Sequence, residues 1–183
     1  MAAANWFRYT YLARLSRPKS DRELYRLVKR QNASRIVEIG MGEISRAVSL
    51  IEVAQRFAGE KKVWYTGIDL FEARPEGQQA LPLKEAYRIL RATDAGIRLV
   101  PGLPARSLAS AANAHANTDL ILLGPSVSMD DLRGAWFYLP RMLHERSIVL
   151  AERHTGEAQV SFERISGSEV AERAAHETVR RAA

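Results

Sequence analysis

The chain has 183 residues, of which 46% are hydrophobic and none is cysteine. This length suits one domain with an ordinary packed core, and the lack of cysteine excludes a disulfide framework, a thiol nucleophile and a thiolate metal site. No apolar run approaches the ~20 residues that a bilayer span requires, and Trp6, Phe7 and Arg8 interrupt the stretch that an export signal would need. We therefore expect a cytoplasmic protein with no membrane partner.

The net charge of +6 is concentrated near the N-terminus. Residues 1–36 contain nine Lys or Arg but two acids, Asp21 and Glu23, which leaves a net charge of +7 for this segment. Such an excess can steer an anionic partner, nucleic acid included, although no aromatic-and-basic RNA motif accompanies it. The alternative is a solvated helical face.

Two helices are predicted before the first strand. Residues 4–15 carry aromatic side chains among arginines, and we expect a short helix or arm that packs on its own domain or on a second copy in a homodimer. Ser20–Glu23 has the sequence of a capping box, which predicts the start of a second helix. We assign residues 1–33 to an N-terminal helical arm and residues 34–183 to one α/β domain.

The segment Arg35–Ser45 is the one around which this domain is organised. Its apolar residues before Gly40 predict a buried strand, and helical spacing of apolar residues from Ile44 onward predicts a helix. Gly40 and Gly42 predict a tight turn between the two, which would point free amide N–H groups at a ligand above the strand end.

The remaining chain alternates between strands and helices. Further strands are predicted at residues 63–69, 97–100, 119–123, 147–150 and 159–165. Helices are predicted at residues 83–95 with Gly96 as C-cap, at 103–117, at 128–139 with Ser128 as N-cap, and from Ser168 to about Arg181. This order predicts right-handed βαβ crossovers and a doubly wound, mostly parallel, Rossmann-like α/β sheet with helices on both faces.

Two residues are placed to contact a ligand at the carboxyl ends of the strands, where such sheets bind their ligands. Gly40 follows the first strand, and Asp69 ends the second. The Asp69 carboxylate is positioned to accept hydrogen bonds from both hydroxyls of a ribose. We expect a nucleotide-like ligand here, and the alternative is a strand-end acid and a tight turn with no ligand.

These segments resemble motifs of the class I S-adenosylmethionine (SAM)-dependent methyltransferases. Val37–Gly42 resembles their glycine-rich first motif, Gly67–Asp69 the acidic end of their second strand, and Asp119–Leu123 their fourth strand. The resemblance spans about residues 34–153 and implies SAM as cofactor, with a small molecule or another methyl acceptor as partner. It implies that Gly40 and Gly42 approach the methionine part of the cofactor, that Asp69 holds its ribose and that Gly102 and Leu103 flank its adenine. Glu38 and Leu70 are also predicted to bind the cofactor.

Three positions depart from that family's pattern. The usual third glycine is Ile44, the acid often found after strand three is Leu103, and the acid that ends strand four is Gly124. That last acid is a metal ligand in the metal-dependent O-methyltransferases, and we predict no metal site here. No catalytic residue is assigned; the candidates for a general base near the strand ends are Glu72, Asp130, Asp131, Glu152 and His154.

Two other functions stay open. One is a methyltransferase fold without catalysis, which would serve as a binding or interaction module. Side chains such as Ile44, Leu103 or Phe71 would then fill the cofactor pocket, whereas an open pocket over Gly40 with Asp69 free would favour the enzyme. A nicotinamide-dependent oxidoreductase is more remote. Gly40–Ser45 lacks the third glycine of the Gly-x-Gly-x-x-Gly dinucleotide-binding fingerprint. Asp69 also lies further from these glycines than the ~20 residues at which that fingerprint has its acid.

Overall fold

The computed structural model describes residues 2–128, 130–155 and 159–182, within which six strands form one sheet. The strands are β1 (Arg35–Ile39), β2 (Trp64–Asp69), β3 (Gly96–Pro101), β4 (Leu120–Leu123), β5 (Ile148–Thr155) and β6 (Gln159–Ile165). Their spatial order is β3-β2-β1-β4-β5-β6. The first five strands run parallel, and β6 pairs with β5 in the antiparallel sense.

Helices cover both faces of this sheet. They are α1 (Ala2–Arg14), α2 (Lys19–Gln31), α3 (Ile44–Phe57), α4 (Leu83–Arg91), α5 (Pro104–Ala111) and α6 (Gly167–Ala182). Because side chains alternate along a strand, Ile36 packs with α2, α3 and α4, whereas the neighbouring Val37 packs with α5 and α6 on the opposite face. The doubly wound α/β fold is confirmed. None of the described helices is long and apolar enough to cross a membrane.

The N-terminal helices pack against the core of the sheet domain. Leu24, Tyr25 and Val28 of α2 are buried in the same cluster as Leu50 of α3. The chain before β1 forms two helices, and the division into an arm over residues 1–33 and a domain from residue 34 stays a prediction.

Two predicted N-caps are wrong. Pro18 is the N-cap of α2, since its extended backbone brings the chain into the helix at Lys19, and the Ser20 hydroxyl has no hydrogen-bond partner. At the start of α6 the hydroxyl of Ser166, rather than that of Ser168, accepts the backbone N–H of Glu169 at 3.2 Å.

Three predicted helices are shorter than expected or differ in type. Gly96 does not cap α4, because it begins β3 and donates its N–H to the Val63 carbonyl at 2.9 Å. The helix predicted at residues 103–117 is α5 followed by a 3₁₀ helix over Ala112–His115. Residues 130–138 form consecutive turns instead of an α-helix, because Gly134 has φ +71° and a left-handed residue interrupts a right-handed helix.

Candidate functional site

The glycine turn and the strand-end acid meet at the carboxyl edge of the sheet. β1 lies between β2 and β4, so the strand order reverses beside the turn that follows β1. Gly40 has φ +76°, which glycine adopts without strain. The backbone N–H of Met41 donates to Asp69 Oδ2 at 2.8 Å. The two sequence motifs therefore converge at the place where such folds bind ligands.

The backbone N–H groups of Gly40, Met41 and Gly42 all donate hydrogen bonds within the protein. The N–H of Gly40 donates to the Ile68 carbonyl at 2.8 Å, and that of Gly42 donates to Glu38 Oε1 at 3.1 Å. Met41 donates to Asp69, as described above. The expectation of free amide donors at these three residues is therefore wrong.

The Asp69 carboxylate is fully engaged by protein donors. It is 3% exposed, and burial alone would raise its pKa. Hydrogen bonds outweigh that effect and hold the pKa of Asp69 below its ordinary value, so the group is ionised at neutral pH. The donors are Arg74 Nε at 2.7 Å and Nη2 at 2.9 Å, the backbone N–H of Phe71 at 2.8 Å, the backbone N–H of Met41 at 2.8 Å and the Ser126 hydroxyl at 2.8 Å.

Arg74 is the residue that sequence reasoning missed. Its guanidinium contacts both Asp69 oxygens and also donates to the carbonyls of Met41 at 2.6 Å and Gln79 at 2.8 Å. A 3₁₀ helix over Phe71–Ala73 places it there, and Phe71 begins this helix with φ +53°, a strained value for an aromatic residue. The signal in the sequence was a single arginine five residues after the strand-end acid.

Four of the predicted cofactor residues line one small cavity, namely Asp69, Leu70, Gly102 and Leu103. Its volume is about 10 Å³, which is about the room that one water requires. Pockets for small molecules measure roughly 300–1,000 Å³. SAM therefore does not fit beside Arg74 as the side chains stand. Arg74, Val127 and Leu103 also line this cavity, and Leu103 is 51% exposed.

Glu38 belongs to a buried ionic network instead of facing this cavity. Its two oxygens accept hydrogen bonds from Arg46 Nη2 at 3.1 Å and from the Tyr65 hydroxyl at 2.5 Å. Arg46 Nη1 donates to Glu152 Oε2 at 2.7 Å, so one guanidinium joins the ends of β1 and β5. Burial and the charge of Glu38 raise the pKa of Tyr65 well above its ordinary value, which keeps it a neutral donor.

Asp21 approaches the same network from α2. It is 4% exposed, and its Oδ1 has no hydrogen-bond partner. The pKa of Asp21 is raised to about 6, chiefly by burial; the charges of Glu152, Glu43 and Glu38 also raise it, and the charge of Arg46 offsets part of the rise. A raised pKa means that the folded state binds this proton more tightly than the unfolded state does. The protonated Asp21 side chain therefore stabilises the folded state below pH ~4, and this stabilisation is lost as the pH rises through about 6.

We expect the Asp21→Asn substitution to stabilise the protein in a pH-dependent way. The free energy of unfolding should rise by about 1–2 kcal/mol at pH 8, after allowance for solvent screening, and should not change measurably at pH 4. Urea denaturation at both pH values measures this difference. Glu23→Gln, an exposed acid two residues away, is the matched control, and an equal gain at both pH values would contradict the assignment.

Glu152 and His154, two candidates for a general base, lie next to each other at the end of β5. Glu152 is 3% exposed and bound to Arg46, which makes it part of the ionic network. His154 is 56% exposed, and its Nε2 lies 3.3 Å from Glu152 Oε1. Neither side chain lines the small cavity beside Asp69.

The other three candidates make local contacts. Glu72 accepts the backbone N–H of Leu83 at 2.7 Å and so caps the start of α4. Asp131 accepts the Ser128 hydroxyl at 2.6 Å, and Asp130 forms an ion pair at 2.7 Å with the arginine three residues on. Asp131 also lines the small cavity. Within the described part of the chain no group of three or more His, Asp or Glu side chains could hold a metal ion.

Comparison with known proteins identifies the fold. No family model matches the chain, and no curated protein matches it. Among solved structures it is similar to the O-methyltransferase TomG from Streptomyces achromogenes, crystallised in complex with SAM, at a TM-score of 0.55 and 13% identity. That match covers 82% of this chain and 64% of TomG, so the chain spans less than two thirds of that protein.

Two further structures share this likeness. Cofactor-bound Rv0187 from MTB has a TM-score of 0.52 at 14% identity, over 97% of this chain and 75% of that one. Apo CalS11, a TDP-rhamnose 3'-O-methyltransferase, has a TM-score of 0.50 at 16% identity, over 82% of this chain and 77% of that one. At such identities the likeness shows the fold alone. The chain therefore has the α/β fold of these methyltransferases.

Proposed function

We propose that the chain is a SAM-dependent methyltransferase of unassigned methyl acceptor. The observation that carries the proposal is the convergence of the Gly40 turn and Asp69, joined by the 2.8 Å hydrogen bond from Met41, at the point where the strand order reverses. The likeness to TomG, a SAM-bound O-methyltransferase, and to cofactor-bound Rv0187 supports it. The proposal requires the Arg74 guanidinium to leave the Asp69 carboxylate, because the ribose hydroxyls would bind the same carboxylate oxygens.

The loop that carries Arg74 is suited to such a movement. The residues from Pro75 to Ala80 are exposed, so the loop itself can move, and the Arg74 side chain, 8% exposed, would have to give up its hydrogen bonds to Asp69 and to two carbonyls. Once SAM is bound, its sulfonium supplies an already activated methyl group, so the protein contributes mainly by positioning the acceptor.

A second function is a non-catalytic binding protein built on the same fold. The observation that favours it is the satisfied state of Asp69, whose carboxylate accepts five hydrogen bonds from the protein, together with a cavity of about 10 Å³. In that case the Arg74–Asp69 pair is a permanent structural feature of the sheet edge. The nicotinamide alternative gains no support from these contacts.

Removal of the Arg74 side chain should separate the two functions. We expect Arg74→Ala to bind SAM and its product S-adenosylhomocysteine at least tenfold more tightly than the unmodified chain, because the substitution removes a competing charged donor from Asp69. Isothermal titration calorimetry measures both affinities. Asp69→Ala, added to Arg74→Ala, should abolish the binding.

Arg88→Ala is the matched control, since it removes an exposed arginine from α4, away from the cavity. It should leave the affinity for SAM unchanged. If folded Arg74→Ala binds neither SAM nor S-adenosylhomocysteine, the methyltransferase proposal is wrong and the non-catalytic function stands. The homodimer and the cytoplasmic location stay predictions, of which gel filtration tests the first.

A further inference from the structure

A basic groove runs between α1 and α2. It has a volume of about 660 Å³, and four cationic side chains line it together with Tyr9, Thr10 and Ala13; the cations are Arg14, Arg22, Arg26 and Lys29. No carboxylate lines this groove among the described residues. None of the four cations forms an ion pair with an acid in the part of the chain that the structure describes.

The arrangement of these cations is unfavourable for the isolated protein. Arg22 and Arg26 are four residues apart on α2, where like charges destabilise a helix. Lys29 is three residues beyond Arg26 on the same helix, and Arg14 faces them from the end of α1. An anion in the groove would remove this repulsion, so the charge pattern indicates an anionic partner.

Two of the arginines are held in a way that suits phosphate binding. Arg22 Nε donates to the Ser16 carbonyl at 2.7 Å, and Arg26 Nε donates to the Arg22 carbonyl at 3.0 Å. These bonds tether each side chain through Nε. Its two Nη groups form no hydrogen bond with any other side chain or backbone group that the structure describes, so they can face a ligand. A guanidinium presents those groups as a planar fork that matches two phosphate oxygens.

Exposed apolar side chains lie along α1 and at the residue that follows it. Phe7, Tyr11 and Leu15 are 68%, 56% and 63% exposed, and their spacing of four residues puts them in one row. Phe7 and Tyr11 belong to the same helix as Arg14, one of the four cations of the groove. Aromatic faces beside a cationic groove are the features that bind single strands, through stacked bases and paired phosphates.

We propose that the α1–α2 groove binds single-stranded nucleic acid. The three cations of α2 extend from Arg22 to Lys29, about 10 Å along the helix, which suits up to three phosphates, and Arg14 of α1 pairs with a fourth. Bases that leave the groove stack on the exposed face of α1. A recessed groove suits a chain of phosphates better than a flat bilayer, for which the cations would have to lie on the outermost surface. The inference does not depend on SAM binding.

Fluorescence anisotropy with the full chain and a labelled 12-nucleotide oligo-dT or oligo-U tests the proposal. We expect a dissociation constant on the order of 1–100 μM at 50 mM salt, and a plot of log K against log salt with a slope of about −3 from four phosphate contacts. Arg14→Gln/Arg26→Gln should weaken binding at least tenfold and reduce the slope to about −1.5. Tyr11→Ala should weaken binding at least fivefold without changing the slope.

Lys61→Gln/Lys62→Gln is the matched control, because it removes the same charge from an exposed site outside the groove. It should change the affinity less than twofold. Absence of oligonucleotide binding by the folded chain, equal losses in both double variants, or tighter binding to phosphatidylserine-containing vesicles would each overturn the proposal. Circular dichroism checks that each variant is folded. If the double variant does not fold, the single Arg14→Gln variant replaces it, and we expect it to bind the oligonucleotide at least threefold more weakly.

Discussion

Replacement of Arg46 by methionine is expected to destabilise the protein by about 3–5 kcal/mol, because it leaves two carboxylates buried without their cation. Glu38 and Glu152 are 1% and 3% exposed, and each accepts a hydrogen bond from the guanidinium. Burial alone lowers the pKa of Arg46, but these carboxylates and Asp21 outweigh it and raise the pKa above its ordinary value. The arginine is therefore charged in the folded state and binds both glutamates. Urea denaturation at pH 7.5 measures the loss.

A triple variant separates the effect of charge from that of packing. Arg46→Met/Glu38→Gln/Glu152→Gln removes the cation together with both anions, and we expect it to recover more than half of the lost free energy of unfolding. Arg56→Met, an exposed arginine on the same helix, should cost less than about 0.5 kcal/mol. A loss below 1 kcal/mol for Arg46→Met alone would show that the buried glutamates do not need this partner.

The sheet and its ligand edge could be predicted from the sequence because both depend on local patterns. Short apolar runs bounded by glycine or proline identified the strands, and the Gly40 turn and Asp69 at two strand ends identified the edge. The run at residues 128–139 has the apolar spacing of a helix, yet residues 130–138 form turns, since the left-handed conformation of Gly134 is not visible from spacing. Helix propensity alone could not distinguish an α-helix from consecutive turns here.

The contacts that close the candidate site depend on residues far apart in the chain. Arg46 and Glu152 are separated by 106 positions, and Ser126 and Asp69 by 57. No periodicity links such pairs, so Glu38 was predicted as a cofactor residue although it serves a buried ion network. Arg74 is close to Asp69 in sequence, but its orientation depends on the positive φ of Phe71, which an aromatic residue rarely adopts.

The structure gives a steric reason for a glycine at residue 124, where, by the resemblance noted in the sequence, the metal-dependent O-methyltransferases have an acid. A Cβ at residue 124 would lie 1.8 Å from the Gly40 carbonyl oxygen and 3.0 Å from its carbon. Both are backbone atoms of the turn that follows β1, so neither can rotate away. The close approach of this turn to the end of β4 therefore excludes every side chain at this position, an acidic metal ligand included.

Gly124→Ala should consequently lower the free energy of unfolding by at least about 3 kcal/mol, because either the turn after β1 or the end of β4 must shift. Gly167→Ala is the matched control: nothing lies within 4 Å of its added Cβ, and it begins α6, where alanine is a better helix former. It should be neutral or stabilising by about 0.5–1 kcal/mol. Urea denaturation compares the two variants. Equal stability of both variants would mean that the turn after β1 can yield. The expected large loss would show that the fold itself forbids an acid at this strand end.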